Sequence, residues 1–310
     1  MTIFAELPPS SYDKAAFANF NPSKSDLDIG NARAMMWTSQ LAYETGHPQT
    51  IDIVSPQWGF SSATPFGVKR VDVTASFDTS GLLAERPDAI LLAFAGTDPG
   101  VWETLATDGN FRIDPQTDTH VGFQAALNAV QAQIAQAVAL SRNGSKPLWI
   151  TGHSLGAALA ALAAEAAASL QNGVAPMAVY VFGMPRAGGA TFQARYNNNA
   201  KLGPITYRFV HGLDVVASIP PSGIGYRHVG RMLACASGQE FDAASPLSAL
   251  GTDDPQFSQQ SADTFRSTLA RVLTGNFLSP AGPGILGFLY RFLPQPIRDH
   301  LQDGYYNALA

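Results

Sequence analysis

With 310 residues, 46% of them hydrophobic and only 14% charged, the chain can build a large buried core and is too apolar for a disordered polyelectrolyte. Its net charge of −5, with no basic run, excludes a surface built to neutralise phosphates, so no nucleic-acid partner is expected. The single cysteine, Cys235, cannot form an intramolecular disulfide, which leaves packing as the source of stability.

The opening stretch from Met1 to Phe20 has no basic start followed by an unbroken apolar run, because Pro8, Pro9, Ser10, Ser11, Asp13 and Lys14 interrupt it. No Sec signal is expected there. Val272 to Leu293 is the most apolar later stretch, but Asn276, Pro280, Pro283, four glycines and Arg291 read as loop and short helix against a membrane span. The expectation is a soluble protein, cytoplasmic or exported by another route.

Residues 1–26 read as an irregular lead-in. Asp28 to Thr45 then places Ala34, Trp37 and Leu41 on one helical face, with Gly46 set to end the helix. Arg70 to Phe77 alternates like a half-buried strand, Ser80-Gly81 reads as a turn, and Ala89 to Phe94 is the continuous apolar run of a central strand. The segment leaving that strand carries Thr97, whose backbone N–H and hydroxyl are candidates for half of an oxyanion hole. Val101, Trp102 and Leu105 follow as a candidate cover over it. Gly122 to Leu140 predicts one packing helix, with Phe123, Leu127, Val130, Ile134 and Val138 at spacings of three and four.

The most informative run is Gly152-His153-Ser154-Leu155-Gly156. Leu148, Trp149 and Ile150 before it fit a strand buried on both faces, and Ala157 to Leu170 after it is strong helix-forming sequence. A serine at such a junction sits on a nucleophile elbow, with glycines where a side chain would strike the neighbouring strand or helix. The turn aims the serine hydroxyl and the backbone N–H of Leu155, at the positive end of the helix, at one point in space. Val179 to Phe182 and Ile205 to Val210 predict two more buried strands, and short strands are expected at Tyr226 to Val229 and Arg231 to Cys235. Ala262 to Leu273 and Pro296 to Leu309 read as helices. Repeated strand and helix units without an internal repeat predict an α/β fold with a mainly parallel sheet, as one domain over 1–310.

A serine hydroxyl needs an imidazole to take its proton, and the imidazole needs a carboxylate to fix its tautomer. Asp214 is the best-placed acid because it directly follows an apolar strand, whereas Asp242, Asp253, Asp254 and Asp263 lie in weakly patterned sequence. Among the histidines, His47 and His120 precede the serine, His153 adjoins it, and His211 is too near the acid along the chain. His228 and His300 remain, and spacing alone does not choose between them.

The chain resembles the class 3 lipases, the filamentous-fungal lipase family. The resemblance rests on Leu92-Ala-Phe-Ala-Gly-Thr97, His120-Val-Gly-Phe123, Thr151-Gly-His-Ser-Leu-Gly-Ala157, Val181-Phe-Gly-Met-Pro-Arg186, Asp214 with Ile219-Pro-Pro221, and Asp299-His300 with Tyr305 and Leu309. It implies an α/β-hydrolase fold with helices on both faces of the sheet. It also implies a late catalytic histidine, which makes His300 the base and sets His228 aside, with His120 as a structural neighbour of the site. Two departures stand out: Ala95 occupies a position often arginine in that family, and the wide gap from Asp214 to His300 implies a cap-like insertion over 236–293.

The resulting expectation is a serine hydrolase cleaving carboxylic esters, foremost a triacylglycerol lipase, with Ser154, His300 and Asp214 as triad. Phospholipase A1 and feruloyl esterase activity would use the same residues. An inactive binding protein on the same fold is the alternative of another class. No metal or organic cofactor is expected, since there is no H-E-x-x-H run, cysteine cluster or phosphate-binding glycine loop. Phe277, Leu278, Ile285, Leu286, Phe288 and Leu289 read either as core or as a surface for fatty acyl chains and a lipid–water interface.

Overall fold

The computed structural model of the chain describes residues 6–68, 79–96, 111–170, 173–252 and 295–310. Among the described residues, seven strands hydrogen-bond in chain order into one sheet: β1 (Ser62–Val68), β2 (Thr79–Glu85), β3 (Ile90–Phe94), β4 (Leu148–His153), β5 (Ala178–Phe182), β6 (Thr206–His211) and β7 (Arg231–Cys235). The first three pair antiparallel and β3 to β7 pair parallel. The sheet is therefore mainly parallel, as expected.

Strand order following chain order has a consequence for the faces. Right-handed crossovers that all step in one direction deposit their helices on the same side of the sheet. Helices α3 (Val121–Ala129), α4 (Gln131–Gly144), α5 (Leu155–Ser169) and α6 (Ala190–Asn197) accordingly share one core with Leu148, Ile150, Val179 and Val181. The opposite face needs cover from outside the crossovers. It comes from α1 (Ile29–Leu41) and the C-terminal α8 (Gln302–Asn307), which pack with Trp149, Tyr180, Phe182 and Phe209 in a second core. The base candidate His300 thus travels with the element that closes the second core.

Several elements differ from expectation, each for a local reason. Ser80-Gly81 lies inside β2 and is no turn; a Cβ at Gly81 would stand 2.3 Å from the Ala93 carbonyl oxygen and 2.4 Å from the Phe66 ring, so the glycine admits a close strand neighbour. β1 was not expected because Pro65 and Gly67 look like breakers, yet an edge strand tolerates both. The expected single helix over 122–140 is two, interrupted at Val130 (φ −118°, ψ 18°), and both halves bury the same face, so the apolar period runs through the break. Helices α2 (Pro48–Val54) and α6 were also not expected. Tyr226 to Val229 is no strand, since only Arg227 makes an isolated bridge, to Gly188. The final helix divides into α7 (Gln295–Arg298) and α8, with His300 between them.

The strand expected at 70–77, the helix at 262–273 and the 253–293 part of the cap-like insertion lie outside the described residues. No helix among the described residues is long and apolar enough to cross a membrane.

Candidate active site

β4 runs into α5 with Ser154 as the only residue between them. Its backbone takes φ 61° and ψ −130°, a region that L-residues enter only when the surroundings force them. What forces it is close packing on both sides. A Cβ on Gly152 would stand 2.2 Å from the Gly156 carbonyl oxygen, and one on Gly156 would stand 2.3 Å from that of Phe94. The turn is tied down by Ser154 N–H to the Phe182 carbonyl at 2.9 Å and Ala157 N–H to the Ser154 carbonyl at 3.0 Å. Leu155, buried, opens the helix beside the serine.

Three side chains from three distant parts of the chain meet here. Ser154 Oγ lies 2.8 Å from His300 Nε2, and His300 Nδ1 donates to both carboxylate oxygens of Asp214 at 2.9 Å. Asp214 is wholly buried just past the end of β6, where the Val216 N–H also bonds its Oδ1 at 2.8 Å. The Tyr305 hydroxyl donates to Oδ2 at 2.5 Å. Burial alone would raise the Asp214 carboxyl. The interaction and hydrogen bond with His300 and the Tyr305 hydroxyl outweigh it and hold the carboxyl below the usual carboxylate range. At Tyr305, burial and the neighbouring Asp214 charge act together, so the phenol keeps its proton and remains a donor.

The short helices α7 and α8, four and six residues long, cannot hold His300 by their own stability. Asp299 does much of this instead. Its Oδ2 accepts from the Leu213 N–H at 2.8 Å and the Ser237 hydroxyl at 2.6 Å, and its Oδ1 accepts from the Gln295 amide at 2.6 Å. This ties the segment to the loop that carries Asp214. Further along, the Tyr306 ring stacks on Trp37 at 4.5 Å, and Phe241 N–H bonds the Ala308 carbonyl at 2.9 Å.

Directly after β5 stands Gly183, whose φ is +58°. A Cβ there would stand 2.6 Å from Asp214 Oδ2 and 2.9 Å from His300 Nδ1, so the position admits only glycine. Sequence reasoning left this residue without a role, although a glycine directly after a buried strand was a usable signal. Tyr305 was noted only as part of the resemblance, and Tyr43, which meets His153, carried no signal at all.

The other histidines are placed elsewhere. His228, fully buried, donates through Nε2 to the Ala217 carbonyl at 2.7 Å; burial and the nearby Arg208 and Arg186 charges hold it neutral, well below the usual imidazole range. His120 caps α3, its Nδ1 accepting from Gly122 N–H at 3.0 Å. His211 accepts at Nε2 from Gly238 N–H at 3.2 Å, and its Nδ1 lies 3.3 Å from the Asp299 carbonyl. Of the rival acids, Asp242 is exposed and caps its own turn at Ala244 N–H, while Asp253, Asp254 and Asp263 lie outside the described residues. So do Thr97 and the candidate cover at Val101, Trp102 and Leu105. Gly96, the last described residue of that strand end, sits against the serine: a Cβ there would stand 2.8 Å from Ser154 Cβ.

Residues 92–223 match the sequence model of the family described as lipase (class 3). Secreted mono- and diacylglycerol lipase 1 of Fusarium solani is 38% identical over 111 residues, covering 35% of this chain and 32% of that protein. Phospholipase A1-II 6 of Oryza sativa subsp. japonica is 33% identical over 127 residues, covering 37% of this chain and 30% of its own. The matched part spans about a third of these relatives' length. A crystal structure of a lipase from Rhizopus microsporus var. chinensis aligns with a TM-score of 0.56 at 19% identity over 79% of this chain and 88% of that one, which shows a shared α/β-hydrolase fold. The matched residues run from the strand before Gly96 through the elbow to the loop after Asp214, and over this stretch the chain is similar to the class 3 lipases.

Proposed function

We propose that the protein hydrolyses carboxylic esters of lipids through an acyl-enzyme formed on Ser154. The observation that carries this reading is the continuous hydrogen-bond path from Ser154 Oγ through the His300 ring to Asp214, set on a strained elbow. His300 Nδ1 donates to a carboxylate, so Nε2 bears the lone pair that takes the serine proton as Oγ attacks the ester carbonyl. The imidazolium that forms lies against the buried Asp214 charge. It then protonates the departing alkoxide, and water repeats the cycle to release the acid. The backbone N–H groups of Leu155 and Thr97 are the proposed oxyanion donors, each worth about 3 kcal/mol in the transition state.

A solvated loop carboxylate would have no need of a buried tyrosine donor and a raised cost of burial, so the environment of Asp214 favours an enzyme over an inactive binding protein of the same fold. The substrate class proposed is the acylglycerol, with the Fusarium solani relative named as a mono- and diacylglycerol lipase. Phospholipase A1 activity is the second reading, favoured by the rice relative. Contact with a lipid–water interface, through the segment of Val101, Trp102 and Leu105, belongs to this proposal, as does the reading of the chain as one domain with a cap-like insertion.

A serine-directed fluorophosphonate should label the protein at Ser154, and Ser154→Ala should remove both the label and the hydrolysis of p-nitrophenyl butyrate. Full activity in that variant would overturn the proposal. Rates on tributyrin, triolein and phosphatidylcholine, below and above their solubility limits, then separate lipase from phospholipase.

A further inference from the structure

His153, the residue before the serine, is only 2% exposed, and neither the elbow geometry nor the proton path to His300 uses its side chain. Its Nε2 lies 2.8 Å from the backbone carbonyl oxygen of His300. A carbonyl can only accept, so this nitrogen carries the proton. Its Nδ1 lies 2.9 Å from the Tyr43 hydroxyl. Burial and the adjacent His300 charge hold the ring neutral, pushed down to about 3, so Nδ1 is bare and Tyr43 must donate to it. The Tyr43 oxygen also lies close against the strand end: a Cβ on Gly96 would stand 2.3 Å from it. Both bonds have one direction: from Tyr43 to His153, and from His153 to the backbone of His300.

We propose that Tyr43 and His153 are positioning residues, a relay that locks the segment of Tyr43, the nucleophile strand β4 and the backbone of His300 into one frame. The inference rests on the ester-hydrolase reading. Through it, nucleophile and base are separated by one peptide unit and one hydrogen bond, although their positions lie 146 apart in the chain. The base must serve the serine oxygen, the leaving alkoxide and the attacking water in turn, and each transfer is sensitive to displacements well below 1 Å. The His153 ring also stacks on His300 at 4.8 Å with 28° between planes, which opposes rotation of the base out of line. A hydrogen bond to the backbone leaves both ring nitrogens of His300 for chemistry.

The test uses p-nitrophenyl butyrate, with kcat expressed per site titrated by the fluorophosphonate so that misfolded protein is not counted. Tyr43→Phe, which removes one hydroxyl and keeps the ring, should lower kcat about tenfold with KM unchanged. His153→Leu should cost about a hundredfold, and His153→Gln should recover part of that because its amide N–H still reaches the His300 carbonyl. Adding Tyr43→Phe to His153→Leu should change kcat no further, since Tyr43 acts through His153. A purely structural role would lower the melting temperature and the number of titrated sites while leaving kcat per site intact, and that result would overturn the inference. So would equal kcat for His153→Gln and His153→Leu. Hydrolysis surviving in Ser154→Ala would instead remove the reading beneath it.

Discussion

Ser154 and His300 meet at 2.8 Å, but the elbow under the first is written in five consecutive residues, while the segment carrying the second is held by contacts scattered from Trp37 to Phe241. The elbow is steric: glycines at 152 and 156 let strand and helix close on the serine, and the strain is local. The C-terminal segment is tertiary. Helices of four and six residues contribute little by themselves, and Asp299, Tyr305 and Tyr306 supply the order. Damage at the elbow should therefore destroy the site outright, and damage around the segment should loosen it by degrees.

The largest effect tests the pairing itself. His300→Ala should reduce hydrolysis of a p-nitrophenyl ester by about six orders of magnitude, as removal of the base from a serine triad does. His228→Ala should retain most of the rate per folded molecule, because that ring is occupied with the Ala217 carbonyl. The opposite ranking of the two variants would mean that the 2.8 Å contact is not the proton path. Asp214→Asn comes next, with kcat expected to fall about 10⁴-fold because an amide can present N–H to Nδ1 and favour the wrong tautomer. Near-normal turnover would show that the tautomer is set elsewhere.

The same contrast explains what could be read from residues alone. The elbow, Asp214 and the central strands were legible because each depends on a short run: glycines at fixed offsets, or an apolar strand followed at once by a polar loop. The proposed base was not, since nothing in the run around His300 distinguishes it from His228; only the resemblance to a family ordered the two. Tyr43 and Tyr305 were invisible as site residues because their partners, His153 and Asp214, lie in other elements. In the fold, β1 was hidden by Pro65, and the break at Val130 by an apolar period that continues across it.

A tenfold effect is expected from Tyr305→Phe. The substitution keeps the ring that packs against Phe182 and Phe241 and removes only the donor to Asp214 Oδ2. A buried carboxylate that loses one donor costs about 1 to 3 kcal/mol, some of it in stability and some in transition-state stabilisation. Measuring kcat alongside a urea midpoint apportions the two. An unchanged kcat with a lowered midpoint would place Tyr305 with the packing of the segment, and a lowered kcat would place it with the acid.

The smallest effect per step is the pH dependence of stability, and it also separates the regions. His153 and His228 are buried neutral, the first pushed down to about 3 and the second well below the ordinary imidazole value. Unfolded, each would bind a proton near pH 6.5; folded, neither does. The unfolded chain therefore takes up more protons as the pH falls, so the stability these rings permit is complete above pH 6.5 and is lost on acidification, for His153 towards about 3. Each ring contributes a slope approaching about 1.4 kcal/mol per pH unit. Glu44 opposes them: burial raises its carboxyl, so its contribution is complete below the ordinary carboxylate value and is lost as the pH rises. Urea midpoints taken between pH 7 and pH 5 should fall for the wild type. His228→Gln should flatten that fall without altering kcat per active site at pH 7. Because His228 is bonded to the Ala217 carbonyl and His153 to the backbone of His300, acid should loosen the fold through both rings but reach the site through His153 alone.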